Sequence, residues 1–215
     1  MVEFQINPAT TCLLIIDMTN VFVKQGAYAE VPGSLALVPK LKRLISVFRE
    51  KGIRIIFTTH VYRENGADLG LTAVFKPRTN TKEPLREGTP EIDIYSELQP
   101  QKEDILVVKR RYSAFLGTEL DLILRSNKID TLVIAGVASN VCCECTARDA
   151  RMRDYKVIFL SDGTAARGFP KTEWGDISPS EAQNYVLATM AASFAEVLSV
   201  DKLIDRLLNH PTHGD

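Results

Sequence analysis

One cysteine has the sequence context of a reactive nucleophile. Cys142 follows a predicted strand, a glycine turn and Ser139, and it lies where a helix is predicted to begin. The unpaired amides and the positive end of the helix dipole favour a thiolate at such a position. The alternative is a small buried apolar residue, which is the usual role of a free cysteine.

Two charged residues stand at the ends of other predicted strands. Asp17 ends the apolar run at residues 11–16, where a carboxylate could act as an acid or a base. Lys109 ends the run at residues 105–108, where its charge could stabilise a thiolate. Taken singly, Asp17 could instead cap the next segment and Lys109 could be a solvated lysine. Their shared position at strand ends favours a common site with Cys142.

Redox and metal chemistry are weaker alternatives for the cysteines. Cys142 and Cys145 form a C-x-x-C pair, but an adjacent cysteine interrupts the motif and no thioredoxin-like companion sequence is present. A zinc site needs about four ligands. Because His210 and His213 lie in a polar tail, only His60 remains as a partner for the cysteines. We therefore expect neither a metal nor an organic cofactor.

Apolar runs that alternate with amphipathic stretches would position these residues. Six runs are predicted to be strands, at residues 11–16, 53–58, 105–108, 131–135, 157–160 and 196–198. Continuous apolar strands separated by helices indicate an α/β fold in which helices cover both faces of the sheet. We predict a Rossmann-like, three-layer αβα domain with a six-stranded, mostly parallel sheet. Such sheets bind ligands beyond the carboxyl ends of their strands.

Helix signals lie between the predicted strands. Apolar residues recur at helical spacing over residues 37–48, and Gly52 is a plausible stop. Residues 178–181 (SPSE) form a full capping box, and residues 118–121 (TELD) resemble one with Asp in place of Glu. Further helices are predicted at residues 140–154 and at the end of the chain. A short helix is expected near residues 93–98.

Composition narrows the classes of protein that the chain could be. The 26 basic and 27 acidic residues give a net charge of −1, which argues against a general nucleic-acid binder. No apolar run is long enough to span a membrane. Since the start resembles no secretory signal, reduced thiols and a cytoplasmic location are expected. Residues 1–215 are predicted to form one domain, with an irregular insertion or lid at about residues 61–104.

Three motifs follow one another in a specific order along the chain. They are residues 14–18 (LIIDM), residues 108–109 (VK) with 112–115 (YSAF), and residues 136–142 (GVASNVC), which continue into 144–150 (ECTARDA). Together they resemble the isochorismatase-like cysteine hydrolases, over about residues 11–203. The resemblance implies a catalytic triad of Asp17, Lys109 and Cys142. It also implies a cis peptide bond between Val137 and Ala138, and an oxyanion hole formed by the amides of Ala138 and Cys142.

The resemblance also separates branches of the family. Members that cleave the vinyl ether of isochorismate lack the cysteine, so Cys142 favours the amidase branch. Nicotinamidase-like members bind a metal through an aspartate and histidines after the second strand, whereas residues 58–63 (TTHVYR) contain one histidine. Residues 112–118 (YSAFLGT) are more similar to N-carbamoylsarcosine amidase, ureidoacrylate amidohydrolase and biuret hydrolase. The alternatives are a vinyl-ether hydrolase and a non-enzymatic protein that retains the fold.

The implied function is hydrolysis of a linear C–N bond in a small carboxamide or ureido compound. Asp17 would take the thiol proton and later activate water, and Cys142 would form a thioester-type intermediate beside Lys109. The partner would be the small-molecule substrate, with no nucleic acid and no membrane, and the family precedent suggests a homodimer or homotetramer. Five residues are candidates for binding the substrate: Phe22, His60, Arg111, Tyr112 and Phe115.

Overall fold

Six strands form the central sheet of the protein, whose computed structural model describes residues 2–75 and 85–209. All six are parallel, in the order β3-β2-β1-β4-β5-β8. The six-stranded α/β fold is therefore confirmed, with a fully parallel sheet. The strands are β1 (Thr11–Ile16), β2 (Arg54–His60), β3 (Ile105–Lys109), β4 (Thr131–Val137), β5 (Lys156–Ala165) and β8 (Glu196–Leu198).

The helices cover both faces of this sheet. On one face, α2 (Ser34–Glu50) and α7 (Val200–Asn209) bury a stripe of leucine, isoleucine, valine and phenylalanine. On the other face lie α4 (Leu120–Ser126), α5 (Glu144–Met152) and α6 (Pro179–Thr189). Because β1 lies in the middle of the sheet with helices on both faces, every one of its residues is buried, as its uninterrupted apolar run predicts. Within the described ranges, no helix is long and apolar enough to cross a membrane.

The strand order reverses between β1 and β4, which are neighbours at the centre of the sheet. The chain segments that leave β1 and β4 run to opposite sides of the sheet. A crevice therefore opens at the carboxyl ends of these two strands. Gly136 in β4 has a φ of +111°, and a Cβ there would lie 2.1 Å from the carbonyl oxygen of Ile16. Only glycine permits this approach. The sequence therefore places the two strand ends in direct contact below the crevice.

Where the structure describes it, at residues 61–75 and 85–104, the region predicted to be an irregular insertion contains short helical elements. These elements are one turn of α-helix, α3 (Thr72–Phe75), and two 3₁₀ turns, Pro90–Ile92 and Ser96–Leu98. The helix expected near residues 93–98 is thus a single 3₁₀ turn. Residues 76–84 lie outside the described residues, so a lid formed by residues 61–104 stays a prediction.

The two capping boxes expected from the sequence have different outcomes. Ser178 caps α6 through reciprocal bonds with Glu181, so that prediction is confirmed. At α4 the expected box is absent. There, Thr118 Oγ1 accepts a bond from the amide of Leu120 and donates one to the carbonyl of Ala114. The threonine hydroxyl is used to close the preceding turn, which leaves it unavailable as a conventional cap.

A hairpin beyond β5 was not expected from the sequence. Strands β6 (Phe169–Thr172) and β7 (Gly175–Ile177) pair antiparallel and form a separate two-stranded sheet. None of their residues is buried, and Trp174 at the turn is 88% exposed. An isolated hairpin is only marginally stable in water, so this one depends on contacts at its base.

Candidate active site

Asp17, Lys109 and Cys142 meet at the carboxyl edge of the sheet. Lys109 Nζ lies 2.7 Å from Asp17 Oδ2 and 3.3 Å from Cys142 Sγ. Asp17 follows β1, Lys109 ends β3, and Cys142 lies in the turn after β4. All three side chains are buried. The structure thus brings together the three residues that were selected for their strand-end positions.

The backbone conformation of Asp17 and a threonine of β2 set the direction of the Asp17 carboxylate. Asp17 has a φ of +50°, an unusual conformation for a residue with a side chain, which costs about 1–3 kcal/mol. Thr58 Oγ1 accepts a bond from the Asp17 amide at 3.2 Å and donates one to Asp17 Oδ1 at 2.7 Å. One carboxylate oxygen is therefore held by Thr58 while the other faces Lys109. Sequence reasoning missed Thr58, because its role depends on the register between β1 and β2.

Cys142 lies in a π-helical turn, Ser139–Cys143, which leads into α5. The peptide bond between Val137 and Ala138 is cis, at the position that the family resemblance implies. Thr146 Oγ1 donates a bond to the carbonyl of Cys142 at 2.7 Å and accepts one from the Ala114 amide at 3.0 Å. This threonine therefore joins the cysteine turn to the segment that follows Lys109.

Burial controls the protonation of the candidate nucleophile. It raises the pKa of the Cys142 thiol to about 12; the Lys109 ammonium opposes this increase and the Asp17 carboxylate adds to it. Lys109 thus favours the thiolate, as the sequence predicts, but desolvation is the larger effect and the thiol stays protonated at neutral pH. Burial alone would lower the pKa of Lys109, but Asp17 and Cys142 hold it above its ordinary value. The pair at rest is an ammonium beside a neutral thiol.

Two of the predicted substrate-binding residues lie beside the triad. A ring nitrogen of His60, a carboxylate oxygen of Asp17 and Cys142 Sγ all lie within 4.8 Å of one another. The Tyr112 ring contacts the His60 ring edge-on, with 5.9 Å between the centroids. His60 is buried and Tyr112 is about one-third exposed, so the two rings lead from the triad toward the surface.

The other three candidates have contacts of a different kind. Arg111 Nη1 donates to the carbonyls of Asp68 and Arg110, which ties its side chain to a neighbouring loop. Phe115 is buried against Tyr155 in the same apolar cluster as Cys142, and its contact with substrate stays a prediction. Phe22, in α1 (Asn20–Val23), is partly buried against the core, and its contact with substrate stays a prediction.

Comparison with known proteins identifies the family. The Isochorismatase domain model matches residues 11–202, which is most of the chain. The protein belongs to the isochorismatase family. The match includes all three motifs that carried the resemblance, together with the strands that end in Asp17, Lys109 and the cysteine turn.

Individual relatives within the isochorismatase family agree over nearly the full length. The chain is 32% identical to ureidoacrylate amidohydrolase RutB from Serratia proteamaculans, over 93% of this chain and 84% of the relative. The crystal structure of a cysteine hydrolase from Pseudomonas syringae pv. phaseolicola has a TM-score of 0.94 and 33% identity, covering 97% of each chain. N-carbamoylsarcosine amidase from Thermoplasma acidophilum has a TM-score of 0.69 and 26% identity, over 89% of this chain and 96% of that one.

One group of side chains in this isochorismatase-family site has metal-binding donors. Among residues 2–75 and 85–209, Asp17, His60 and Cys142 bring an oxygen, a nitrogen and a sulfur within 4.8 Å of one another. Zinc takes all three donor types. A cation would, however, meet the Lys109 ammonium, which already contacts the aspartate and the cysteine. The absence of a metal stays a prediction. His210 and His213 lie outside the described residues.

Arg167 is a site residue that sequence reasoning missed. Its amide donates to Asn140 Oδ1 at 3.0 Å, and Asn140 Nδ2 donates back to its carbonyl at 2.8 Å, which attaches Arg167 to the cysteine turn. Burial lowers the pKa of the Arg167 guanidinium, while nearby Cys142 and Tyr112 oppose that decrease. Its Nη2 donates to the Ala29 carbonyl at 2.8 Å, so the guanidinium is a partly buried cation that interacts electrostatically with Cys142. No motif marked it, because it follows a strand whose end lay five residues past the predicted one.

Proposed function

We propose that the protein is a cysteine-dependent amidohydrolase that cleaves a linear C–N bond in a small ureido or carboxamide compound. The observation that carries the proposal is the contact of Cys142 with Lys109, at 3.3 Å, and of Lys109 with Asp17, at 2.7 Å. The names of two relatives, ureidoacrylate amidohydrolase and N-carbamoylsarcosine amidase, support the substrate class.

In the proposed first half-reaction, Asp17 accepts the thiol proton as Cys142 Sγ attacks the carbonyl carbon. This coupling matters because the thiol, with a pKa of about 12, is protonated at neutral pH. The Lys109 ammonium stabilises the charge that develops on sulfur, and the amides of Ala138 and Cys142 bind the oxyanion. The C–N bond then breaks, and Asp17 returns its proton to the leaving ammonia or amine. A thioester or thiocarbamate on Cys142 remains, and water hydrolyses it.

We further propose that Arg167 binds an anionic group of the substrate. The two named relatives act on ureido and N-carbamoyl acids, and a carboxylate is the natural partner of a guanidinium. Arg167 is partly desolvated beside Cys142 and Tyr112, which strengthens such a contact. Arg167→Met should raise KM for carboxylate-bearing substrates much more than for biuret, which has no carboxylate. Equal effects on both would remove the role.

The function is tested by measuring ammonia release from a panel of substrates. The panel contains carbamoylated amino acids, ureidoacrylate, biuret, maleamate and nicotinamide, and isochorismate is assayed beside it for vinyl-ether cleavage. We expect turnover of a ureido or carboxamide compound, and none with Cys142→Ala. Turnover of isochorismate alone would identify a vinyl-ether hydrolase instead. No turnover of any compound by the folded protein, together with no labelling of Cys142 by iodoacetamide up to pH 10, would support a non-enzymatic protein.

Oligomerisation and location complete the proposal. We propose a homodimer or homotetramer, supported by the exposed β6–β7 hairpin with Trp174 at its turn, which would gain stability from a second copy. Sedimentation velocity of the protein and of Trp174→Ser tests this proposal.

A cytoplasmic location is supported by four free thiols, those of Cys12, Cys142, Cys143 and Cys145.

A further inference from the structure

Lys109 and Cys142 belong to strands that are not neighbours in the sheet. The order β3-β2-β1-β4 places two strands between β3, which ends in Lys109, and β4, which leads into the cysteine turn. Since neighbouring strands are about 4.8 Å apart, β3 and β4 are separated by about 14 Å. Strand pairing therefore does not by itself hold the ammonium against the sulfur. Their 3.3 Å contact depends on the segments that follow the two strands.

Three groups surround the Lys109 ammonium. It forms an ion pair with Asp17 Oδ2 at 2.7 Å. It donates hydrogen bonds to Cys142 Sγ at 3.3 Å and to the carbonyl of Arg111 at 3.1 Å. The Arg111 carbonyl belongs to the segment that follows β3. A shift of this segment would therefore draw the ammonium away from the sulfur.

A threonine of α5 holds the segment after β3. Thr146 Oγ1 accepts a hydrogen bond from the Ala114 amide at 3.0 Å and donates one to the Cys142 carbonyl at 2.7 Å. The bond to a carbonyl four residues earlier is ordinary for a threonine in a helix. The bond to Ala114 is not local, because the two residues are 32 positions apart. All three residues are buried, so water does not compete for these bonds.

A second contact joins the same two segments further along α5. Ser113 Oγ donates a hydrogen bond to Asp149 Oδ2. Positions 146 and 149 are three residues apart, so their side chains lie on one face of the helix. We name the contacts of Thr146 with Ala114 and of Asp149 with Ser113 the α5 clamp. The α5 clamp connects the helix after the cysteine turn to the segment after β3.

We propose that Thr146 is a positioning residue that holds Lys109 against Cys142; this inference rests on the proposed function, in which Cys142 is the nucleophile. Without the Thr146 hydroxyl, the buried Ala114 amide loses its acceptor, and its segment moves to find another. At an effective dielectric constant of ~20, an ammonium that lies about 1 Å further from the sulfur lowers the thiolate fraction about sevenfold. Thr146 thus sets the reactivity of a thiol that its side chain does not bind.

The test combines the rate of iodoacetamide alkylation of Cys142 between pH 6 and pH 10 with kcat and KM for the best substrate of the panel. In Thr146→Val we expect alkylation about sevenfold slower at every pH, kcat lower by at least that factor, and KM little changed. Thr146→Ser keeps the hydroxyl and should restore both rates. Ser113→Ala removes the other contact of the α5 clamp and should give a smaller effect in the same direction.

The sign of the change distinguishes positioning from a loss of packing. Burial raises the pKa of the Cys142 thiol to about 12, so a loosened site that admits water would lower this pKa and make alkylation faster. A displaced ammonium makes it slower. Thr131→Val is the matched control, because Thr131 is also a buried threonine, but its hydroxyl donates to Asp130 at 2.6 Å at the amino end of β4. It should behave like the parent, and circular dichroism verifies that each variant is folded.

Several results would overturn the proposal. Folded Thr146→Val that is alkylated at the parent rate or faster would do so, as would Thr146→Ser that is as slow as Thr146→Val. If Thr146→Val does not fold, an unchanged rate in Ser113→Ala would overturn it equally. Alkylation is measured without substrate. A parent protein that turns over no compound of the panel, while the expected alkylation pattern holds, would therefore remove the proposed function and support the α5 clamp.

Discussion

Replacing Lys109 with Met removes the only positive charge that directly contacts both Asp17 and Cys142 in the described residues. Methionine keeps most of the aliphatic stem, so the change acts mainly on the charge. We expect the reactivity of the Cys142 thiol to fall strongly, because its buried thiolate would lose the cation that opposes desolvation and the repulsion of Asp17.

The size of the effect follows from the distance. Two unit charges 3.3 Å apart interact by about 5 kcal/mol at an effective dielectric constant of ~20. This energy corresponds to about 3–4 pKa units, or on the order of a 10³-fold lower thiolate fraction at a given pH. Loss of the cation also leaves the buried Asp17 carboxylate without its charged partner, which destabilises a fold by about 3–5 kcal/mol. Thermal unfolding must therefore be recorded with the kinetics.

The assay is the rate of iodoacetamide alkylation between pH 6 and pH 10, with Cys142 quantified separately by peptide mass spectrometry. In the parent, a thiol pKa of about 12 means that thiolate appears only as pH rises, so the rate should increase about tenfold per pH unit without a plateau. In Lys109→Met the whole curve should lie about 10³-fold lower. Lys156→Met is the matched control, because Lys156 also pairs with an aspartate from a strand but lies on the surface.

An alkylation rate in folded Lys109→Met within tenfold of the parent would refute the reasoning. That result would mean that the ammonium does not act on the sulfur electrostatically, despite the short distance. Lys109 would then serve only to neutralise Asp17. A plateau below pH 9 in the parent would equally contradict the conclusion that burial dominates at Cys142.

Three further predictions concern the nucleophile, the metal and the support of Asp17. Cys142→Ser should abolish turnover with the fold intact, whereas Cys143→Ala should retain most of it; equal losses would contradict the assignment. Activity should survive exhaustive treatment with EDTA, and a loss restored by zinc would show that Asp17, His60 and Cys142 hold an essential ion. Thr58→Val should lower kcat about 10- to 100-fold with KM little changed, whereas Thr58→Ser, which keeps the hydroxyl that contacts Asp17, should stay near the parent value.

The residues of the triad could be predicted because their signal is local. Each stands at the end of an apolar run, and parallel strands bring such ends to one edge of a sheet. The same holds for the capping box at Ser178, which depends on residues three apart. Thr58 and Arg167 carry no comparable signal. Their contacts with Asp17 and Asn140 join segments that are 41 and 27 residues apart.

The predictions that the structure changed are those that depend on which residues are neighbours in the folded chain. The threonine of the second expected capping box closes a turn instead. The β6–β7 hairpin has too short and polar a pattern to be recognised as strands, and it forms through pairing across its turn.

The sequence by itself determined the fold class and indicated the candidate nucleophile, because apolar periodicity and strand ends are properties of short segments. Tertiary structure decided the protonation state of that nucleophile. A helix start and a nearby lysine favour a thiolate, but packing removes water from Cys142 and raises its pKa to about 12. Desolvation depends on every segment that covers a group, so no local pattern along the chain contains it.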